Sequence, residues 1–66
     1  MIPQLADQLR TKTGQIREIA EWLDKYAAAE GDVNHPRHCA RRATWAAHRL
    51  LVTAAMELDK EGNDGD

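Results

Sequence analysis

In the first half of this chain the apolar residues Leu5, Leu9, Ile16, Ile19, Ala20, Leu23 and Ala27 recur at intervals of three and four. At ~100° per residue that spacing winds them onto one stripe, the signature of an amphipathic helix. Pro3 suits the opening turn, where its missing N–H would be unpaired in any case, and Asp7 favours the positive end of the dipole. Lys12 falls on the stripe, where its stem can cover apolar surface while the ammonium reaches water. The weak place is Thr13-Gly14, since glycine costs ~1 kcal/mol relative to alanine inside a helix. Leu9 and Ile16 nevertheless keep phase across it. The spacing therefore predicts one continuous helix over about 3–30, with a short N-terminal helix folded back at Gly14 as the alternative. Trp22 and Tyr26, an i,i+4 pair on the shoulder of the stripe, are expected in a core or an interface.

The stretch Glu30-Gly31-Asp32-Val33-Asn34-His35-Pro36 ends one helix and begins another. Gly31 reads as a left-handed cap, Asp32 or Asn34 as the cap of the next helix, and Pro36 as its first turn. A connection of residues 31–35 forces antiparallel neighbours. The second helix is expected over about 36–58, and each helix is roughly 40 Å long. Its stripe of Cys39, Ala43, Ala46, Ala47, Leu50, Leu51, Ala54 and Leu58 is expected to pack on the first helix. Turned about half a revolution away lie Trp45, Val52 and Met56, flanked by Arg41, His48 and Arg49. A hairpin has no use for that second face, which is therefore expected to meet a subunit, a ligand or a partner. After Leu58 the run DKEGNDGD has no apolar residue, and residues 59–66 are expected to form a disordered acidic tail.

The expected fold is thus all-α, an antiparallel helical hairpin over residues 1–58. A chain of 66 residues buries little apolar surface, so self-association is expected, as a dimeric four-helix bundle or a higher oligomer. No apolar run approaches the ~20 residues of a membrane span, and MIPQLADQLR has no signal-peptide core. The expectation is a cytoplasmic protein with no membrane partner. Cys39, the single cysteine, excludes an intrachain disulfide and agrees with a reducing compartment.

Chemistry-bearing residues concentrate in the second helix. His35, His38, Cys39 and His48 include metal-ligand types, but His38 and Cys39 point about 100° apart and His48 lies more than two turns on, so no metal site is expected. Catalysis is not expected either, because no orienting carboxylate, phosphate loop or Ser-His arrangement accompanies the thiol, and no cofactor is implied. Arg37, Arg41, Arg42 and Arg49 are more informative. Arg37, Arg41, Trp45 and Arg49 follow at i,i+4 steps with His48 beside them. Guanidinium groups take phosphate through paired hydrogen bonds and an indole can stack a base, so these six residues form a candidate nucleotide site. The bland alternative is a solvated face whose arginines pair with Glu18, Glu21 and Asp24 of another subunit. Duplex nucleic acid is not expected to bind a chain with 11 acids and a net charge of −2.

The pattern Ala40-x-x-Ala43-Thr44-Trp45-Ala46-x-His48-Arg49-Leu50, preceded by Pro36-Arg37, resembles the helical-hairpin proteins of bacteriophages that sequester the cyclic nucleotide signals of CBASS and Thoeris immunity. That resemblance implies an oligomer binding its signal between helices, in the cytoplasm of a host bacterium. Trp45 would answer to the family's tryptophan, Ala43 and Ala46 to its small packing residues, and His48 and Arg49 to its basic pair. Arg41 and Arg42 stand where such helices usually carry glutamates. The function expected is a non-enzymatic phage or mobile-element protein that sequesters a nucleotide signal of antiviral immunity. The rivals are a helical inhibitor or adaptor of a bacterial immune protein, anti-CRISPR or antitoxin-like, anchored by Trp45, Val52 and Met56, and a bundle that binds structured RNA by shape.

Overall fold

The computed structural model describes residues 3–64. It contains α1, Pro3–Ala27, and α2, Pro36–Asp64, packed as an antiparallel hairpin with principal extents of 52 × 16 × 11 Å. Both prolines open their helices as expected. α1 runs unbroken through Gly14, whose α-carbon faces open space.

Along α1 the seam follows a seven-residue repeat. Ala6, Ala20 and Ala27 are buried and Thr13 is half-buried in the same row, with half-buried Leu9, Ile16 and Leu23 forming the row beside it. The Thr13 hydroxyl is satisfied inside the seam, donating to the Leu9 carbonyl at 2.6 Å. Leu5 and Ile19 belong to the same apolar stripe but lie at its edge, each about half exposed.

The matching surface of α2 differs from the expected one. Half-buried residues are Arg37, His38, Arg41, Thr44, Trp45, His48, Leu51, Ala55 and Leu58, whereas Cys39, Ala43, Ala46, Ala47, Leu50 and Ala54 are exposed. Of the expected stripe only Leu51 and Leu58 face inward. Packing of large against small explains the rotation. The alanine row of α1 has little to offer another alanine row, but it leaves room for an indole, an imidazole and the methylene stems of two arginines.

The connection also departs from expectation. α1 ends at Ala27, closed by Ala28 N–H to the Lys25 carbonyl (3.3 Å) and Glu30 N–H to the Ala27 carbonyl (3.0 Å). No described residue has positive φ, so Gly31 is not a left-handed cap. Asp32 and Asn34 do not cap α2 either. The Asp32 carboxylate accepts the Asn34 N–H at 2.9 Å, and His35, directly before Pro36, caps the helix by accepting the Arg37 N–H on Nδ1 at 3.1 Å. Glu30 in turn accepts the Asp32 N–H at 3.1 Å and stands 3.7 Å from His35 Nε2.

That loop has a pH signature. The Asp32 N–H, aided by the nearby His35, Arg37 and His38, holds the Glu30 carboxyl below its ordinary value of 4.5 against the opposing effect of desolvation. A depressed carboxylate stabilises the fold above the ordinary value, and that contribution disappears as pH falls through the lowered one. Thermal melts of Glu30→Gln against the parent chain are therefore expected to differ at neutral pH and to converge only as pH falls through the lowered value of the Glu30 carboxyl. A gap that persists or widens in acid would contradict this account of the loop.

At the other end, α2 continues through Asp64 rather than ending at residue 58, so residues 59–64 are helical and not a disordered tail. Arg10 bonds the Asp59 carboxylate from α1, and Lys60 reaches Glu57 at 3.2 Å one turn back. These contacts supply what the apolar pattern lacks there. Residues 65 and 66 of the expected tail lie outside the described residues.

Candidate ligand-binding surface

The rotation of α2 brings Trp45 to one edge of the seam. Its Nε1–H donates to Asp24 Oδ1 of α1 at 3.0 Å, and Arg41 Nη1 stands 3.8 Å from the same oxygen. Trp45 thus has an intrachain partner, contrary to the expectation of a face turned wholly away from the hairpin. Its ring meets His48 edge-on at 5.6 Å between centroids and 81° between planes. The carboxylate anchors the indole edge, so the aromatic body is set in one orientation.

Two shallow depressions share Trp45 and Arg49. The first, about 470 Å³, is lined by Arg41, Arg42, Trp45, Ala46, Arg49 and Leu50. The second, about 440 Å³, is lined by Trp45, His48, Arg49, Val52 and Thr53. Five of the six expected ligand residues, Arg41, Arg42, Trp45, His48 and Arg49, therefore come together. The sixth does not: the Arg37 guanidinium lies 4.2 Å over the Tyr26 ring. Its position at i−4 from Arg41 was a sound neighbour rule, but Tyr26 offers a cation–π contact that a solvated strip does not.

The arginines are held differently. Arg42 bends back to the loop, donating from Nη1 to the Val33 carbonyl at 3.0 Å and from Nη2 to Cys39 Sγ at 3.4 Å. Arg41 is shared with Asp24, and Arg49 has no ion-pair partner among the described residues. A phosphate in the first depression would meet Arg49 unpaired, with Arg41 and Arg42 able to turn one N–H each toward it. Of the expected partner-binding residues, Val52 lines the second depression and is 37% exposed, while Met56 lies further along the same edge at 57%.

Sequence reasoning missed Ala46, Leu50 and Thr53 as lining residues, and it offered Asp24 only as an arginine partner from another subunit, whereas Asp24 meets Arg41 and Trp45 within the chain. Asp24 carries no local signal, because its pairing depends on how α2 is rotated. Leu50 and Ala46 were assigned to the seam for the same reason. Trp22 and Tyr26 are exposed at 70% and 57%, so neither belongs to an intrachain core; Lys25 Nζ lies 5.2 Å from the centre of the Trp22 ring.

Among the described residues no group of three His, Cys, Asp or Glu side chains is close enough to hold a metal ion, and no helix is long and apolar enough to cross a membrane. His38 Nε2 is engaged with the Glu30 carbonyl at 2.7 Å, and Cys39 Sγ points at the Asn34 carbonyl at 3.7 Å. No family model matches the chain, and neither a curated protein nor a solved structure matches it.

Proposed function

We propose that this hairpin is a non-enzymatic binding protein that sequesters a phosphate-bearing nucleotide, of the kind used as signals in bacterial antiviral immunity, in the cytoplasm of a host bacterium. The observation that supports it is the gathering of Arg41, Arg42 and Arg49 around the Trp45 indole in one open depression. Guanidinium groups supply paired donors for phosphate and the indole a surface for a base. The likeness of residues 40–50 to the phage hairpin proteins favours the same ligand class. We read the working form as an oligomer, a dimeric four-helix bundle or larger, because Leu5, Ile19, Trp22, Tyr26 and Leu50 are each half or more exposed.

The test is a thermal melt of the full chain with cyclic dinucleotides and ADP-ribose-type ligands. A ligand at a hundredfold excess over its Kd stabilises by ~2.7 kcal/mol, a rise in Tm on the order of 10 °C for a chain this small. No rise across the panel would overturn the proposal. A second reading, an inhibitor or adaptor docking on a bacterial immune protein, draws on the apolar edge of Trp45, Val52 and Met56. Met56→Asp separates the two, since it leaves a nucleotide-induced rise in Tm intact and removes an anchor of protein docking.

A further inference from the structure

The two depressions beside Trp45 are similar in size, about 470 and 440 Å³, and different in chemistry. The side chains of the first offer hydrogen-bond donors only. Arg41, Arg42 and Arg49 carry N–H groups and no acceptor, Ala46 and Leu50 carry neither, and the one donor of Trp45 is taken by Asp24. Such a surface suits an anion made of acceptors, which describes a phosphate and no nucleobase. The amino group of a base, or a hydroxyl of its sugar, finds no side-chain acceptor there.

The second depression supplies what the first lacks. Thr53 donates its hydroxyl proton to the Arg49 carbonyl at 3.0 Å, which leaves the lone pairs of Oγ1 free to accept. His48 adds an imidazole, met edge-on by the Trp45 ring, and Val52 adds an apolar wall. Arg49 is the one guanidinium in this lining, against three in the first, so charge sends the anion to the first depression.

The spacing fits one small ligand. The two sets of lining residues are centred about four residues apart along α2, ~6 Å at 1.5 Å per residue. That is close to the reach from a phosphate to the sugar it esterifies and the near edge of the base. Trp45 and Arg49 belong to both linings and join them.

We propose that a nucleotide lies across both depressions along α2, its phosphate held by Arg41, Arg42 and Arg49 in the first and its sugar and base in the second, where Thr53 Oγ1 accepts a hydrogen bond from the ligand. The ligand class is thereby narrowed to phosphorylated nucleosides with a donor on the sugar or the base. A bare phosphate fills only the first depression. Thr53 determines specificity in this arrangement, whereas the arginines meet the group that all nucleotides share. The inference rests on the nucleotide reading of this surface, and it adds the direction of the ligand and the group that is read.

The test is an NMR titration, which reads weak affinities, of the full chain with inorganic phosphate and adenosine monophosphate, repeated on Thr53→Val and Arg42→Gln. Thr53→Val keeps the branched shape at an exposed helix position and removes the hydroxyl. The parent is expected to prefer the nucleotide to phosphate, and Thr53→Val to cut that preference about fivefold, the weight of one hydrogen bond. Arg42→Gln is expected to weaken both ligands by a similar factor. Two analogues locate the donor: a preference lost with the dideoxy nucleotide, which lacks both ribose hydroxyls, assigns it to the sugar, and one lost with purine riboside monophosphate assigns it to the amino group. A preference that survives both analogues, or survives in Thr53→Val, would overturn the arrangement while leaving an anion site standing. Equal affinity for phosphate and nucleotide in the parent would do the same. No binding by any of these ligands would overturn the nucleotide reading as well.

Discussion

Replacing Ala20 by leucine is expected to lower the melting temperature by roughly 10 °C or more and to reduce helicity at room temperature. Ala20 is fully buried in the middle of the α1 seam, in the same row as Ala6 and Ala27. Extra carbons there meet the large α2 side chains that the alanine row accommodates. Overpacking costs ~1–3 kcal/mol, and each kcal/mol moves Tm by about 4–8 °C in a domain of this size. Few interactions stand in reserve, since three alanines make up the buried apolar set among the described residues. Thr11→Leu, the same enlargement on the outer face of α1, is expected to change stability by less than about 0.5 kcal/mol. Circular dichroism melts of the two variants decide the matter. An Ala20→Leu protein that melts higher than its parent would show a seam with room to fill, and the account of α2's rotation would fall.

The second large effect concerns the basic depression. Arg42→Glu combined with Arg49→Glu is expected to abolish binding of the nucleotide that raises Tm in the parent chain, with affinity falling at least ~100-fold. A charge-assisted hydrogen bond contributes ~1.5–3 kcal/mol, so the loss of two arginines exceeds the 1.4 kcal/mol of a single factor of ten. Arg49 is exposed and Arg42 is tied only to the loop carbonyl and the Cys39 thiol, so the fold is expected to persist. Calorimetric titration measures the loss and a far-ultraviolet spectrum confirms retained helix. Binding that survives both reversals would place the ligand elsewhere. Salt dependence gives an independent check, because the arginine contribution weakens as ionic strength rises.

Arg41 is less suited to that experiment. It shares Asp24 with the Trp45 indole, so removing it also alters how the aromatic ring is held. Asp24 fixes which part of Trp45 faces the depression. This division of labour follows from the rotation of α2, which turns one edge of the indole to α1 and leaves the rest beside Arg49.

Local rules were enough for the elements. The three- and four-residue spacing of Leu9, Ile16, Ala20, Leu23 and Ala27 specified α1 and its buried face, Pro36 specified where α2 begins, and the short Gly-Asp-Val-Asn connection specified antiparallel packing. Those signals lie within a few residues of one another and depend only on helix geometry. That Arg41, Arg42, Trp45, His48 and Arg49 share one surface was likewise legible, because residues three, four and seven apart on a helix remain neighbours wherever it points.

The orientation of α2 was decided by the tertiary structure. This helix has two apolar aspects, the alanine–leucine face and the Trp45 edge, and a helical wheel cannot rank them. Ranked by side-chain size against the small seam of α1, with Asp24 available to Trp45 and Arg41, the arrangement turns by about a third of a revolution. Arg41, Thr44, His48 and Ala55 pack inward, and the alanine–leucine face is left outside. The helix through residues 59–64 likewise depends on a non-local partner, Arg10 of α1, which bonds Asp59. The sequence by itself determined a helical hairpin with a basic, tryptophan-bearing second helix. Which face closes the hairpin and which stays exposed was settled only by packing, because that choice depends on the shape of α1.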